Sequence, residues 1–130
     1  MNNEKPTKHI WIGALVCCLY VILGAFGAHG LKASLSDLQL NTYETGLRYM
    51  IIHGLGLILT NLVYIVLNKY SKWTNYLIYA GLLLFSVSLL VHATKDLIGL
   101  DIDVFALFAP FGGLCFVASW LIFTLKVKSK

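Results

Sequence analysis

Charge is what this sequence has least of: 12% of its 130 residues are Asp, Glu, Lys or Arg, about half the share of a soluble domain. A chain so poor in charge cannot cover a core with a solvated surface, and its polar stretches are too short to form a soluble domain beside the apolar ones. Cysteine is scarce as well. Cys17, Cys18 and Cys115 fall in no paired spacing, which excludes a disulfide framework and a Cys-x-x-Cys metal motif and leaves them as small packing residues. Adjacent thiols on a helix also point apart. No nucleophile elbow of the G-x-S-x-G kind occurs.

What is present is apolar: 58% of the residues, gathered in four runs over 10–28, 47–67, 76–94 and 104–125. The first would be about 28 Å long as a helix, close to the thickness of a hydrocarbon core. It is longer than a signal-peptide core and lacks a clear small-residue cleavage site, so it is expected to stay in place as a membrane span. The fold class is therefore an all-α integral membrane four-helix bundle in one domain.

Small residues mark contact faces. Gly13, Cys17, Gly24 and Ala28 fall on one side of the first helix, with Gly27 beside them, and this spacing predicts close packing on a neighbour. In the fourth run, Pro110 with Gly112 and Gly113 predicts a kink or a late start to the regular helix, again shaped for contact. Between the first two runs, Leu31, Leu35 and Leu38 recur at i, i+4, i+7 and predict a short interfacial helix, with a plain loop as the alternative. The second helix is expected to begin before its apolar run, at Thr42 to Glu44, which makes Glu44 and Arg48 i, i+4 partners.

Tyr49, His53, Gly56, Thr60 and Tyr64 form a polar stripe on the second helix, expected to face protein or water. Ser88, His92 and Asp96 line one face of the third run. A straight helix stacks them along its axis, so they cannot form a catalytic triad, and no catalytic residue is assigned.

Positive charge sets orientation. Lys5, Lys8, Lys69, Lys72, Lys126, Lys128 and Lys130 fall on one side of the spans, against Lys32, Arg48 and Lys95 on the other, which predicts a plasma-membrane protein with both termini cytoplasmic. Trp11, Trp73 and Trp120 map to run ends on the cytoplasmic side, as interfacial anchors do. In this topology His29, His53 and His92 approach the outer leaflet beside Glu44, Asp96, Asp101 and Asp103, a ligand set that suits a transition metal or a proton path. Their spacing matches no metal signature, so no cofactor is assigned.

The residues also carry a resemblance. Gly24-Ala25-Phe26-Gly27-Ala28-His29-Gly30-Leu31, then Tyr43-Glu44-Thr45-Gly46 with Arg48, Tyr49 and His53, then Phe85-Ser86-Val87-Ser88-Leu89, then Pro110-Phe111-Gly112-Gly113 with Trp120, resemble the domain of unknown function 423 family. The likeness runs in order across nearly the whole chain. It implies four transmembrane helices and no established reaction, with His29, Glu44, Arg48, Tyr49 and His53 as motif residues. Val87 stands where the family usually has glycine, and Leu90 where it often has tyrosine.

Three readings of function follow. The favoured one is a non-enzymatic structural or accessory membrane protein, acting through lipid or partner contacts. A small oligomeric transporter or channel using the polar face of the second helix is the first alternative. A metal- or haem-linked protein using the outer histidines is the second. The expected partners are the bilayer, including anionic headgroups at the basic tail, and a second copy or another membrane protein. Nucleic acid is not one, since the net charge of +4 is accounted for by orientation.

Overall fold

The computed structural model describes residues 4–99 and 103–129, and these are helical throughout apart from short turns. Helix α1 covers Glu4–Phe26 and continues as a π-helical segment, Gly27–Leu31. Helix α2 covers Asp37–Val66. The third span combines α3 (Lys72–Gly81), a π-helical segment (Leu82–Val87) and α4 (Ser88–Ile98). A short α5 (Asp103–Ala106) precedes α6 (Ala109–Lys128). Four of these stretches, Lys5–Leu31, Asp37–Val66, Lys72–Ile98 and Ala109–Lys128, are long and apolar enough to cross a membrane.

The start of α2 corrects the reading of the first link. Ser36 is an N-cap: its hydroxyl accepts from the Gln39 backbone N–H at 3.3 Å while the Gln39 side-chain Oε1 accepts from Ser36 N–H at 2.9 Å. This reciprocal pair satisfies two orphan donors, and Asp37 adds a favourable charge at the positive helix end. No separate interfacial helix remains. Leu31 and Leu35 are buried in the core, whereas Leu38 is 76% exposed, so the three leucines do not share a face. The third span ends at Gly99, which takes the left-handed conformation at φ +66°. Pro110 stands in the first turn of α6, where a missing N–H costs nothing, after the chain has broken at Leu107 and Phe108.

The middle of the molecule is α2 with the third span; α1 packs along α2, and α6 along α3 and the second π segment. The two outer helices are mostly exposed and the two inner ones carry most of the buried residues. Close backbone approach occurs where glycine removes the Cβ. A Cβ on Gly13 would lie 2.7 Å from the Gly54 carbonyl oxygen, and one on Gly112 would lie 2.5 Å from the Phe85 nitrogen. Gly27 holds the Tyr43 ring, at 2.6 Å from where its Cβ would be, and Tyr43 Oη donates to the Leu23 carbonyl at 2.8 Å. In an unbroken α-helix Gly27 N–H would serve that carbonyl.

Other small residues behave differently. Gly24 has no atom within 4 Å of an added Cβ, and Ala28 is exposed, so this end of the small-residue face of α1 meets open space. Cys17 reaches Gly54, with its Sγ at 3.2 Å from that would-be Cβ. Cys18, however, is exposed, and Cys115 is half-buried; none of the three thiols is a core residue. Val87 is 37% exposed and Leu90 is buried, so the second π segment packs without a glycine at 87.

Both ends of the bundle are tied. Lys69 Nζ donates to the carbonyls of Val127 and Ser129, at the last turn of α6. Buried His9 bonds to the hydroxyls of Tyr79 and Tyr70. The two termini and the 68–71 turn therefore share one end. At the other end, Gln39 Nε2 donates to Asp96 Oδ2 at 2.7 Å, joining the start of α2 to the end of α4.

Candidate functional site

His53 is the focus of the motif residues that lie inside the bundle. It sits sixteen residues into α2, about 24 Å from that helix's start and about 9 Å beyond Leu47, where the apolar run begins. Its Nδ1 lies 2.9 Å from the Tyr49 carbonyl, and the Trp120 indole N–H donates to its Nε2 at 3.2 Å. A carbonyl can only accept and an indole N–H can only donate, so the ring is neutral with its proton on Nδ1. Its face stacks on Phe116, with centroids 3.4 Å apart and planes 12° from parallel. Gly81 makes room for this, since a Cβ there would lie 2.4 Å from the Phe116 ring.

Trp120 is thus not an interfacial anchor. It lies eleven residues into α6, with Gly56 of α2 beneath its ring, 3.2 Å from an added Cβ. Trp11 and Trp73 are exposed near the shared end of the termini. Tyr49, Phe85, Phe116 and Trp120 wall a groove of about 660 Å³ between α2 and α6, with Leu114 and Leu121 at its exposed lip. Its walls are aromatic and aliphatic, and its size lies within the range of small-molecule pockets.

A second polar cluster lies one to three turns further along α2. Asn61 and Asn75 exchange amide hydrogen bonds of 2.7 and 3.2 Å, both fully buried. Tyr64 and Thr74 share a hydrogen bond of 2.7 Å, and Ser119 donates to the Thr74 carbonyl at 2.7 Å. Thr60 returns its hydroxyl to the Gly56 carbonyl. These groups join α2, α3 and α6, and the polar stripe of α2 is engaged in protein contacts except at Tyr49, which is 37% exposed and lines the groove. Asn61 and Asn75 carry no motif. The signal that could have found them is the presence of two carboxamides among apolar spans, where unpaired amides are costly.

The remaining motif residues do not join this cluster. His29, within the π segment Gly27–Leu31, and Glu44 of α2 are both exposed. Arg48 is exposed as well, and no ion pair joins it to Glu44, although the two stand one turn apart. The expected outer gathering of imidazoles is not formed: among the described residues no three His, Cys, Asp or Glu side chains come close enough to hold a metal ion. Asp101 and the side chain of Asp103 lie outside the described residues. Ser88 and Asp96 are separately engaged, Ser88 with the Leu83 carbonyl at 3.5 Å and Asp96 with Gln39.

The match to known proteins follows this layout. Residues 23–113 match the family model described as Protein of unknown function (DUF423). The chain belongs to the DUF423 family. Its relatives include a UPF0382 membrane protein of Staphylococcus haemolyticus, 35% identical over 90% of this chain and 92% of its own length. Another is the UPF0382 membrane protein YwdK of Bacillus subtilis, 35% identical over 86% and 89%. No solved structure matches. The DUF423 region runs from the end of α1 through the first turn of α6 and includes His53, Gly81 and Phe85, while Phe116 and Trp120 lie beyond it.

The stack around His53 makes a testable prediction. His53→Leu removes the acceptor of the Trp120 indole and is expected to cost about 2 kcal/mol. In a background with Trp11→Phe and Trp73→Phe, the remaining tryptophan emission should shift. Unchanged emission and stability would show that the Trp120 to His53 bond holds nothing in place.

Proposed function

We propose that the protein is a non-enzymatic accessory protein of the plasma membrane that works through contacts made within the bilayer, with lipid or with a transmembrane helix of a partner. The supporting observation is the groove between α2 and α6. It is open between exposed Leu114, Val117 and Leu121, and the nitrogens of His53 at its base are bonded to Tyr49 and Trp120. Such a surface offers dispersion contacts and stacking rather than charge or a free base. The cation asymmetry between the two ends supports cytoplasmic termini, and the exposed Lys126 and Lys128 of the tail then face anionic headgroups.

The test places a photo-reactive benzoyl-phenylalanine at Val117 in cells and follows the purified protein into liposomes. Crosslinks to phospholipid or to one membrane protein, with no ion or proton flux above empty liposomes, are the expected result. Flux that disappears in His53→Ala while folding persists would replace this reading with transport.

A further inference from the structure

A separate groove runs between α1 and α2 at the end opposite the termini. It consists of two hollows of about 180 and 240 Å³ that share Glu44 and Leu47 as walls. Lys32 borders the first, and Arg48 and Tyr20 border the second. The first hollow is open because Gly24 faces it with nothing within 4 Å of an added Cβ. Lys32, Glu44 and Arg48 are all exposed, and among the described residues none of them makes an ion pair or a side-chain hydrogen bond.

Depth makes this arrangement unusual. The 30 residues of α2 extend about 45 Å, whereas the hydrocarbon core is about 30 Å thick. The apolar run begins at Leu47, so Arg48 stands where the acyl region meets the headgroups. An exposed guanidinium at that level is stabilised by an anion among the headgroups, because the acyl chains beside it offer no acceptor.

We propose that this groove holds one anionic phospholipid, its phosphate bound by Arg48 and Lys32 and its acyl chains lying over Tyr20 and Ile51. Two cations and one carboxylate leave a single net positive charge, which one phosphodiester neutralises. A zwitterionic phospholipid leaves that charge unmatched. The planar fork of Arg48 suits two phosphate oxygens at once. Inorganic phosphate meets the same cations but has no chains for the apolar lower wall. The inference rests on the accessory reading, whose own test at Val117 probes the groove between α2 and α6, so each can fail without the other.

Native mass spectrometry of the delipidated full chain, titrated with phosphatidylglycerol or phosphatidylethanolamine, decides the matter. Wild type should retain one phosphatidylglycerol, and Arg48→Ala should weaken retention roughly tenfold, the scale of one charged hydrogen-bonded contact. Lys32→Ala, outside the helices, should weaken it in the same sense and keeps the test informative if Arg48→Ala does not fold. The double variant Lys5→Ala/Lys8→Ala, exposed at the opposite end, should leave it unchanged. Retention unaltered in Arg48→Ala and Lys32→Ala, equal retention of the two lipids, or displacement by sodium phosphate at lipid-like concentration would each overturn the proposal.

Discussion

Gly112→Ala is expected to destabilise the protein by about 3 kcal/mol, the upper range for overpacking a closely fitted contact, whereas Gly113→Ala should be nearly silent. The two glycines are neighbours, yet they face different surroundings. A methyl group at 112 would lie 2.5 Å from the Phe85 nitrogen and 2.8 Å from the Leu84 carbonyl carbon. Those are backbone atoms of the second π segment and cannot swing aside. The same methyl group at 113 meets only the Phe85 ring, at 3.8 Å, an ordinary contact. Unfolding of both variants in mixed micelles gives the comparison, and equal midpoints would mean that α6 slides freely along the π segment. The adjoining Gly81 belongs to the same joint, since Phe116 fills the space its missing side chain leaves.

The second large effect is expected at the buried carboxamides. Replacing Asn61 by Leu leaves Asn75 without the partner on both its oxygen and its nitrogen, at a position with no exposed surface. The cost is about 2 kcal/mol, because the amide left behind is desolvated and unpaired. Asn61→Leu/Asn75→Leu should recover part of that loss, giving a coupling energy of about 1 kcal/mol in a double-mutant cycle. Strict additivity would show that the pair contributes no specific interaction, leaving the Tyr64 to Thr74 hydrogen bond and packing to hold α2 and α3 together.

Much of the architecture was legible because lipid imposes it. Four apolar runs in so short a chain leave few alternatives to four spanning helices, and the family likeness follows the order of the motifs. The first link reads as either an interfacial helix or a loop when the i, i+4, i+7 leucines are weighed without the Ser36 and Gln39 capping pair, which stands in the sequence as Ser-x-x-Gln. Trp120 was misplaced because aromatic residues near the end of an apolar run resemble anchors. Its true role depends on His53, 67 residues away, and on Gly56 making room, which no local pattern conveys. The histidines looked convergent because topology brought their helix ends to one side. In the structure His29 is exposed while His53 is buried against Phe116 and Trp120, a difference in burial that spacing along the chain does not fix. Glu44 and Arg48 had the right spacing for a pair but remain apart, since an exposed pair gains little to offset fixing two long side chains.

The bond from His9 to Tyr79 has a consequence for biogenesis. The two hydroxyls that hold this imidazole lie 61 and 70 residues downstream, one in the turn after α2 and one on the third span, so both emerge from the ribosome after α2. During synthesis, then, the N-terminal helix is made before either hydroxyl exists, and its histidine, which precedes the apolar run, has only water to bond. The clasp closes only once the third span has arrived, so the cytoplasm-facing start proposed for α1 is fastened last although it is made first.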